Sequence, residues 1–311
     1  MIRHTIKLEG EAAKGARVSI HVLAALSHAL VEATQRALRF RVDGRSNLHG
    51  KANWLDAATD FELVGLEPGS TVLAWDAPTL GEAVPHFFDQ LPLWDTGPRR
   101  SQTAFDVLEE TTREAADGNT ESDLLDKNIL DSLYGFRKVL SFGYDAITFD
   151  SLKTAGNPVR ITKQDMSVFH RLSEDAPPSR QTVVAGWLDE LSASKNSFRL
   201  RLPNGQFLRG LLPNGEETAF GELWNLRIVV DGEISFRPSG TPSLIIARHI
   251  QKATDRDAIW EQIPEPLKRS LAELKPRVAP PSGSNGMEYV FGRWPGNESE
   301  KEVKAILEAI E

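Results

Sequence analysis

The stretch HTIKLEG alternates apolar and polar residues and stops at Gly10, a period of two that predicts a short strand. From Val18 to about Phe40 the rhythm becomes helical. Val22, Leu23, Leu26, Leu30, Ala33, Ala37 and Leu38 share one face, and Ser19 stands where an N-cap belongs. The run DFELVGLEPGSTVLAWDAP reads as two strands joined at Glu67-Pro68-Gly69-Ser70, where Pro68 presets φ and Gly69 supplies a positive φ. Strand, helix and hairpin together predict a small α+β layer whose helix buries the sheet's apolar face.

Beyond Pro98 the pattern is helix-rich, with a break at Asp117-Gly118-Asn119. Leu124, Leu125, Ile129, Leu133, Phe136, Val139 and Leu140 then form a core-facing helical stripe. Pro177-Pro178 cannot continue a helix and reads as a hinge. After it come short alternating runs separated by Lys195-Asn196, Asn204-Gly205, Asn214-Gly215 and Asp231-Gly232, each read as a hairpin turn. Strands at this spacing predict a small barrel of SH3-like or oligonucleotide-binding (OB) type. Helical pattern returns from Thr254 to Leu274, interrupted at Pro264 and Pro266. The expected fold class is α+β: a small α+β N-terminal domain (1–96), a helical middle (97–176), a small SH3/OB-like β-barrel (177–252) and C-terminal helices with a helical tail (253–311).

Composition narrows the chemistry more than it adds to it. A net charge of -8 over 311 residues argues against a dominant nucleic-acid or anionic-membrane surface, while leaving room for local basic patches. The chain has no cysteine, which excludes disulfides, thiolate metal sites and cysteine nucleophiles. The opening MIRHTIKLEG lacks the apolar core of a signal peptide, and no long apolar run suggests a membrane span. A cytoplasmic protein with no membrane association is expected.

Catalytic and cofactor signatures are absent from the pattern. No Gly-x-Ser-x-Gly elbow, Walker loop or Gly-x-Gly-x-x-Gly occurs, and LEPGST sits between predicted strands rather than before a helix. His21 and His28 share a helix face without metal-ligand spacing, and Asp56 and Asp60 have no evident base partner. No cofactor or metal is expected, and a non-enzyme is the expectation. Eight acidic residues between Asp106 and Asp126 face Arg113 alone; they read either as a nucleic-acid mimic or as a solvated helix face and turn.

Two features point toward binding. In SFRLRLPNGQFLRG, Arg199 and Arg201 alternate with Phe198, Leu200 and Leu202, and Arg209 joins them across the Asn204-Gly205 turn. With Trp187 or Phe207 nearby to stack bases, this is a candidate nucleic-acid face; the same arginines also suit plain edge protection. Arg36, Arg39, Arg41 and Arg45 close the first helix, where cations favour the dipole without any ligand. The second feature is the tail. Ser299 and Glu302 form a capping box, and Val303, Ile306, Leu307 and Ile310 make one apolar stripe. A helix of about a dozen residues is unstable alone in water and needs a surface, with Trp294 as its anchor. The surface is either the chain itself, a second copy, or a partner protein's groove.

The ending GRWPGNESEKEVKAILEAI resembles that of many uncharacterised bacterial proteins, in which Gly-x-Trp-Pro-Gly-Asp-Glu opens a short acidic helix. This chain departs from that string at Asn297, where Asp is typical. Some of those proteins lie beside toxin-like ribonuclease genes of the PIN-domain class, so the resemblance implies an antitoxin-like or regulatory partner of a nuclease. The N-terminal LEG…LVGLEPGSTVL is similar to the opening of other such proteins. Two expectations follow: an interaction protein using its tail, and a nucleic-acid-binding module using the barrel.

Overall fold

The structure is a computed structural model that describes residues 1–48, 50, 53–67, 71–85, 97–151, 158–192, 197–212, 223–263 and 266. All of them lie in one compact unit, Met1–Lys268. The expected tail helix, with the turns at Pro68-Gly69, Lys195-Asn196 and Asn214-Gly215, lies outside the described residues.

An antiparallel five-stranded sheet of order β2-β3-β1-β4-β5 is built from β1 (Ile2–Glu9), β2 (Glu62–Glu67), β3 (Thr71–Ala77), β4 (Ala146–Ser151) and β5 (Val159–Thr162). Alternation in β1 sends His4, Ile6 and Leu8 inward and leaves Arg3, Thr5 and Lys7 on the wet face. Arg3 pairs there with Asp76 at 2.8 Å and Lys7 with Glu9 at 3.0 Å, so ion pairs line that face. The other face carries α1 (Ile20–Asp43), α4 (Ala104–Ala116), α5 (Lys127–Tyr134), α6 (Arg137–Leu140) and α7 (Lys163–Asp175), with the short α2 (Asn53–Ala58) and α3 (Leu80–Ala83) alongside.

Local chemistry sets the helix ends. Ser19 accepts from the Val22 N–H, and Gly44, in the left-handed region at φ 67, donates to the Phe40 carbonyl. Gly44 is also a close approach: a Cβ there would lie 2.2 Å from Leu244. Thr103, Asp126 and Thr162 cap α4, α5 and α7. The stripe read as one helix is two, α5 and α6, parted at Gly135; Leu125, Ile129, Leu133, Phe136, Val139 and Leu140 are buried, while Leu124, which precedes α5, is half-buried. Two of the five strands, β4 and β5, come from a stretch whose pattern is dominated by helix, and they pair with β1 or with each other.

The acidic run is not simply a solvated face. Asp106, Glu109 and Asp126 are 5%, 6% and 3% exposed. Asp106 and Asp126 cap helices, whereas Glu109 points into the core side of α4.

The other five strands form a closed barrel of order β10-β8-β7-β6-β9, from β6 (Arg180–Ser192), β7 (Ser197–Arg201), β8 (Phe207–Leu211), β9 (Arg227–Phe236) and β10 (Pro242–Lys252). All neighbours are antiparallel except β8 and β10. Val184, Leu188, Phe198, Leu200, Leu208, Ile228, Val230, Ile234 and Ile245 fill it. Asn204-Gly205 makes the β7–β8 turn as expected, Gly205 having φ 83. Asp231-Gly232 does not make a turn. It lies within β9, opposite Val183 and Thr182, and a Cβ on Gly232 would sit 2.3 Å from the Ile246 carbonyl oxygen. The glycine there lets two barrel backbones approach beside the irregularity at Ala247/His249. The β9–β10 connection is instead the stretch Arg237–Thr241, with Gly240 at φ 88.

Gly210 is equally constrained, because a Cβ would meet the Phe198 ring at 2.0 Å. Gly210→Ala is expected to destabilise the fold by about 1–3 kcal/mol through overpacking. Urea denaturation checks this, and Phe198→Leu in the same chain should recover part of the loss.

Candidate nucleic-acid interface

The outer side of β6, β7 and β8 brings together all four sequence-predicted barrel residues. Cross-strand register places Trp187 opposite Arg201 and Arg201 opposite Phe207. The neighbouring row sets Glu190 opposite Arg199 and Arg199 opposite Arg209. Two rows therefore cross three strands, one aromatic–cation–aromatic and one acid–cation–cation. Strand alternation creates them, since Phe198, Leu200 and Leu208 between these residues point into the barrel.

One cation–π contact ties the rows diagonally and another lies within a row. The Arg199 guanidinium carbon lies 4.9 Å from the Phe207 ring centroid, and that of Arg201 lies 5.6 Å from the Trp187 ring. Phe207 is 53% exposed. Arg199 also reaches Asp189 at 3.2 Å and Glu190 at 3.1 Å, and Arg201 approaches Asp189 at 3.9 Å. A register shift between Leu188 and Glu190 turns both carboxylates toward the arginines. These pairs are exposed and worth little in water, so an incoming phosphate displaces the carboxylates at small cost. Arg209 stands outside this network. A cavity of about 870 Å³ opens at the turn end of the same hairpin, between Asn204 and Gln206 on one side and Ile259 and Ile263 on the other.

Other candidates resolve differently. Three of the four arginines closing α1 are used structurally: Arg36 bonds Glu32 and the Ser46 carbonyl, Arg39 the Asn47 carbonyl, and Arg41 approaches Glu110 at 3.5 Å, while Arg45 is exposed. His21 and His28 are exposed, and among the described residues no cluster of three or more His, Asp or Glu is gathered as for a metal. No described helix is long and apolar enough to cross a membrane. Trp294, Val303, Ile306, Leu307 and Ile310, the predicted partner-binding stripe, lie outside the described residues.

A histidine–hydroxyl–carboxylate array has no counterpart in the sequence pattern. His4 Nε2 lies 3.0 Å from Thr103 Oγ1, which donates to Asp106 Oδ2 at 2.9 Å. Its one hint in the sequence is the Thr103-x-x-Asp106 spacing of a helix cap. His4 has no exposed surface and stacks on Phe105 at 4.5 Å, and burial holds its pKa below the ordinary histidine value. The array is sealed from substrate and serves to lock α4 to β1.

No protein-family model matches the chain, and no curated protein or solved structure shows significant similarity to it.

Proposed function

We propose that the chain binds single-stranded nucleic acid on the outer face of β6, β7 and β8. The observation that carries this reading is the barrel's connectivity together with what its second and third strands display. Three consecutive antiparallel strands, a fourth returning to the first and a fifth parallel to the third fit the OB type rather than the SH3 type. In OB barrels the face of strands two and three is where oligonucleotides lie. Here that face presents Arg199, Arg201, Phe207 and Arg209, flanked by Trp187.

The chemistry suits a strand with unstacked bases. Aromatic rings accept any base, at about 1–3 kcal/mol per stacked base, and arginines track the phosphates between them. The acidic balance of the whole chain limits the attraction to this patch, which favours a short footprint over sliding along duplex. A tail-borne protein partnership of the antitoxin-like kind is supported by the sequence of residues 294–310 and is a separate proposal.

Ultraviolet crosslinking of the full chain to a single-stranded oligonucleotide, followed by peptide mass spectrometry, tests the placement. Crosslinks at Trp187 and Phe207 are expected, with Phe207→Ala weakening binding about tenfold. Crosslinks confined to peptides from other elements would overturn the assignment.

A further inference from the structure

Away from the barrel, a second surface gathers cations around a hollow. On α7 the residues Lys163, Ser167, His170, Arg171 and Glu174 recur at helical spacing along one side. Opposite them, Tyr134, Arg137 and Ser141 come from the α5–α6 segment at intervals of three and four. Between the two runs lies a cavity of about 440 Å³, within the size range of small-molecule sites.

Its geometry is built rather than incidental. His170 stacks on Tyr134 with ring centroids 4.8 Å apart and planes 11° off parallel. The Arg137 guanidinium carbon sits 4.1 Å from the centre of the same tyrosine ring, and its Nη1 donates to the Tyr134 carbonyl at 3.3 Å. These contacts hold Arg137 and His170 at the rim. Leu140 and Met166, both buried, form an apolar floor beneath them.

The charge is one-sided. Arg137, Lys163 and Arg171 are exposed, and the acids that face them are Glu174, 3.7 Å from His170 Nε2, and Asp145, 3.1 Å from Lys163 Nζ. Among the described residues Arg171 enters no ion pair. Three cations with the Ser167 hydroxyl suit a phosphate group, for which guanidinium forks and hydroxyls are the fitting donors, whereas the Ser141 hydroxyl donates to the Lys138 carbonyl at 2.7 Å. The apolar floor and the histidine ring suit a flat, weakly polar moiety attached to that phosphate.

We infer that the groove between α6 and α7 binds a small organic phosphate carrying a flat ring, of which a mononucleotide is the fitting class. The site is independent of the barrel face. Isothermal titration of the full chain with adenosine monophosphate, adenosine and inorganic phosphate tests it. The monophosphate should bind at least about tenfold more tightly than either fragment, because each supplies only half of the contacts. Arg171→Ala should weaken it about tenfold, and Glu174→Gln should tighten it by removing the nearest negative charge. Both positions are exposed, so neither variant should alter the fold, which circular dichroism confirms. Arg201→Ala, on the barrel, should leave this titration unchanged. Absence of binding by the monophosphate overturns the proposal. So does equal affinity for adenosine or for phosphate alone, or loss of binding in Arg201→Ala with none in Arg171→Ala.

Discussion

Replacing Arg199, Arg201 and Arg209 together by glutamine lowers affinity for a single-stranded oligonucleotide by at least about a hundredfold at low salt, since each removes a charge-assisted phosphate contact. All three are exposed, and their backbones are held by the barrel ladder, so the fold survives the change. The carboxylates sharpen the test, because Asp189 and Glu190 compete with phosphate for Arg199. Asp189→Asn with Glu190→Gln should therefore tighten binding, whereas edge protection alone predicts no effect of these changes on oligonucleotide affinity. Fluorescence anisotropy with a labelled oligonucleotide reads both variants. Unchanged affinity in the triple variant contradicts the proposed face.

The largest expected effect on stability comes from Glu109. Burial pushes its carboxyl up to about 8, helped by the charge of Asp106 and opposed by Arg113. Its Oε1 is buried with no hydrogen-bond partner among the described residues. The folded chain therefore holds the Glu109 proton more tightly than the unfolded chain does. The stability that this proton brings is complete below about 4.5 and is lost as pH rises through about 8. Glu109→Gln keeps the shape and removes the titration. Near pH 4, below the unfolded value of 4.5, the variant should match the natural chain. Near pH 9 it should be more stable by a few kcal/mol, since each tenfold difference in proton affinity between folded and unfolded chain is worth about 1.4 kcal/mol. Urea denaturation at both pH values checks this, and a difference that does not change with pH contradicts it.

Much of this was legible because it rests on local rules. The period of α1, its Ser19 cap, the Asn204-Gly205 turn and the alternation of Arg199 and Arg201 are each set by a few neighbouring residues. What escaped depends on partners distant in sequence. Asp231-Gly232 carries the same letters as a hairpin turn, but its glycine answers a close approach by Ile246 on the next strand. Burial of Glu109 arises because α4 lies on a sheet completed only by β4 and β5, well downstream in the chain. The rows on the barrel were half visible. Alternation revealed the arginines, whereas the bulge that turns Asp189 and Glu190 onto them has no signature in the sequence.

The central claim, that the β6–β8 face tracks phosphates of a single strand, is tested most directly by salt. Affinity of the natural chain for an oligonucleotide, plotted as log K against log salt, should fall linearly with a slope of about −2, at about −0.7 per phosphate contact for the three arginines. The triple glutamine variant should show a slope near zero. A steep slope that the variant retains, or an affinity that salt does not change, contradicts the account.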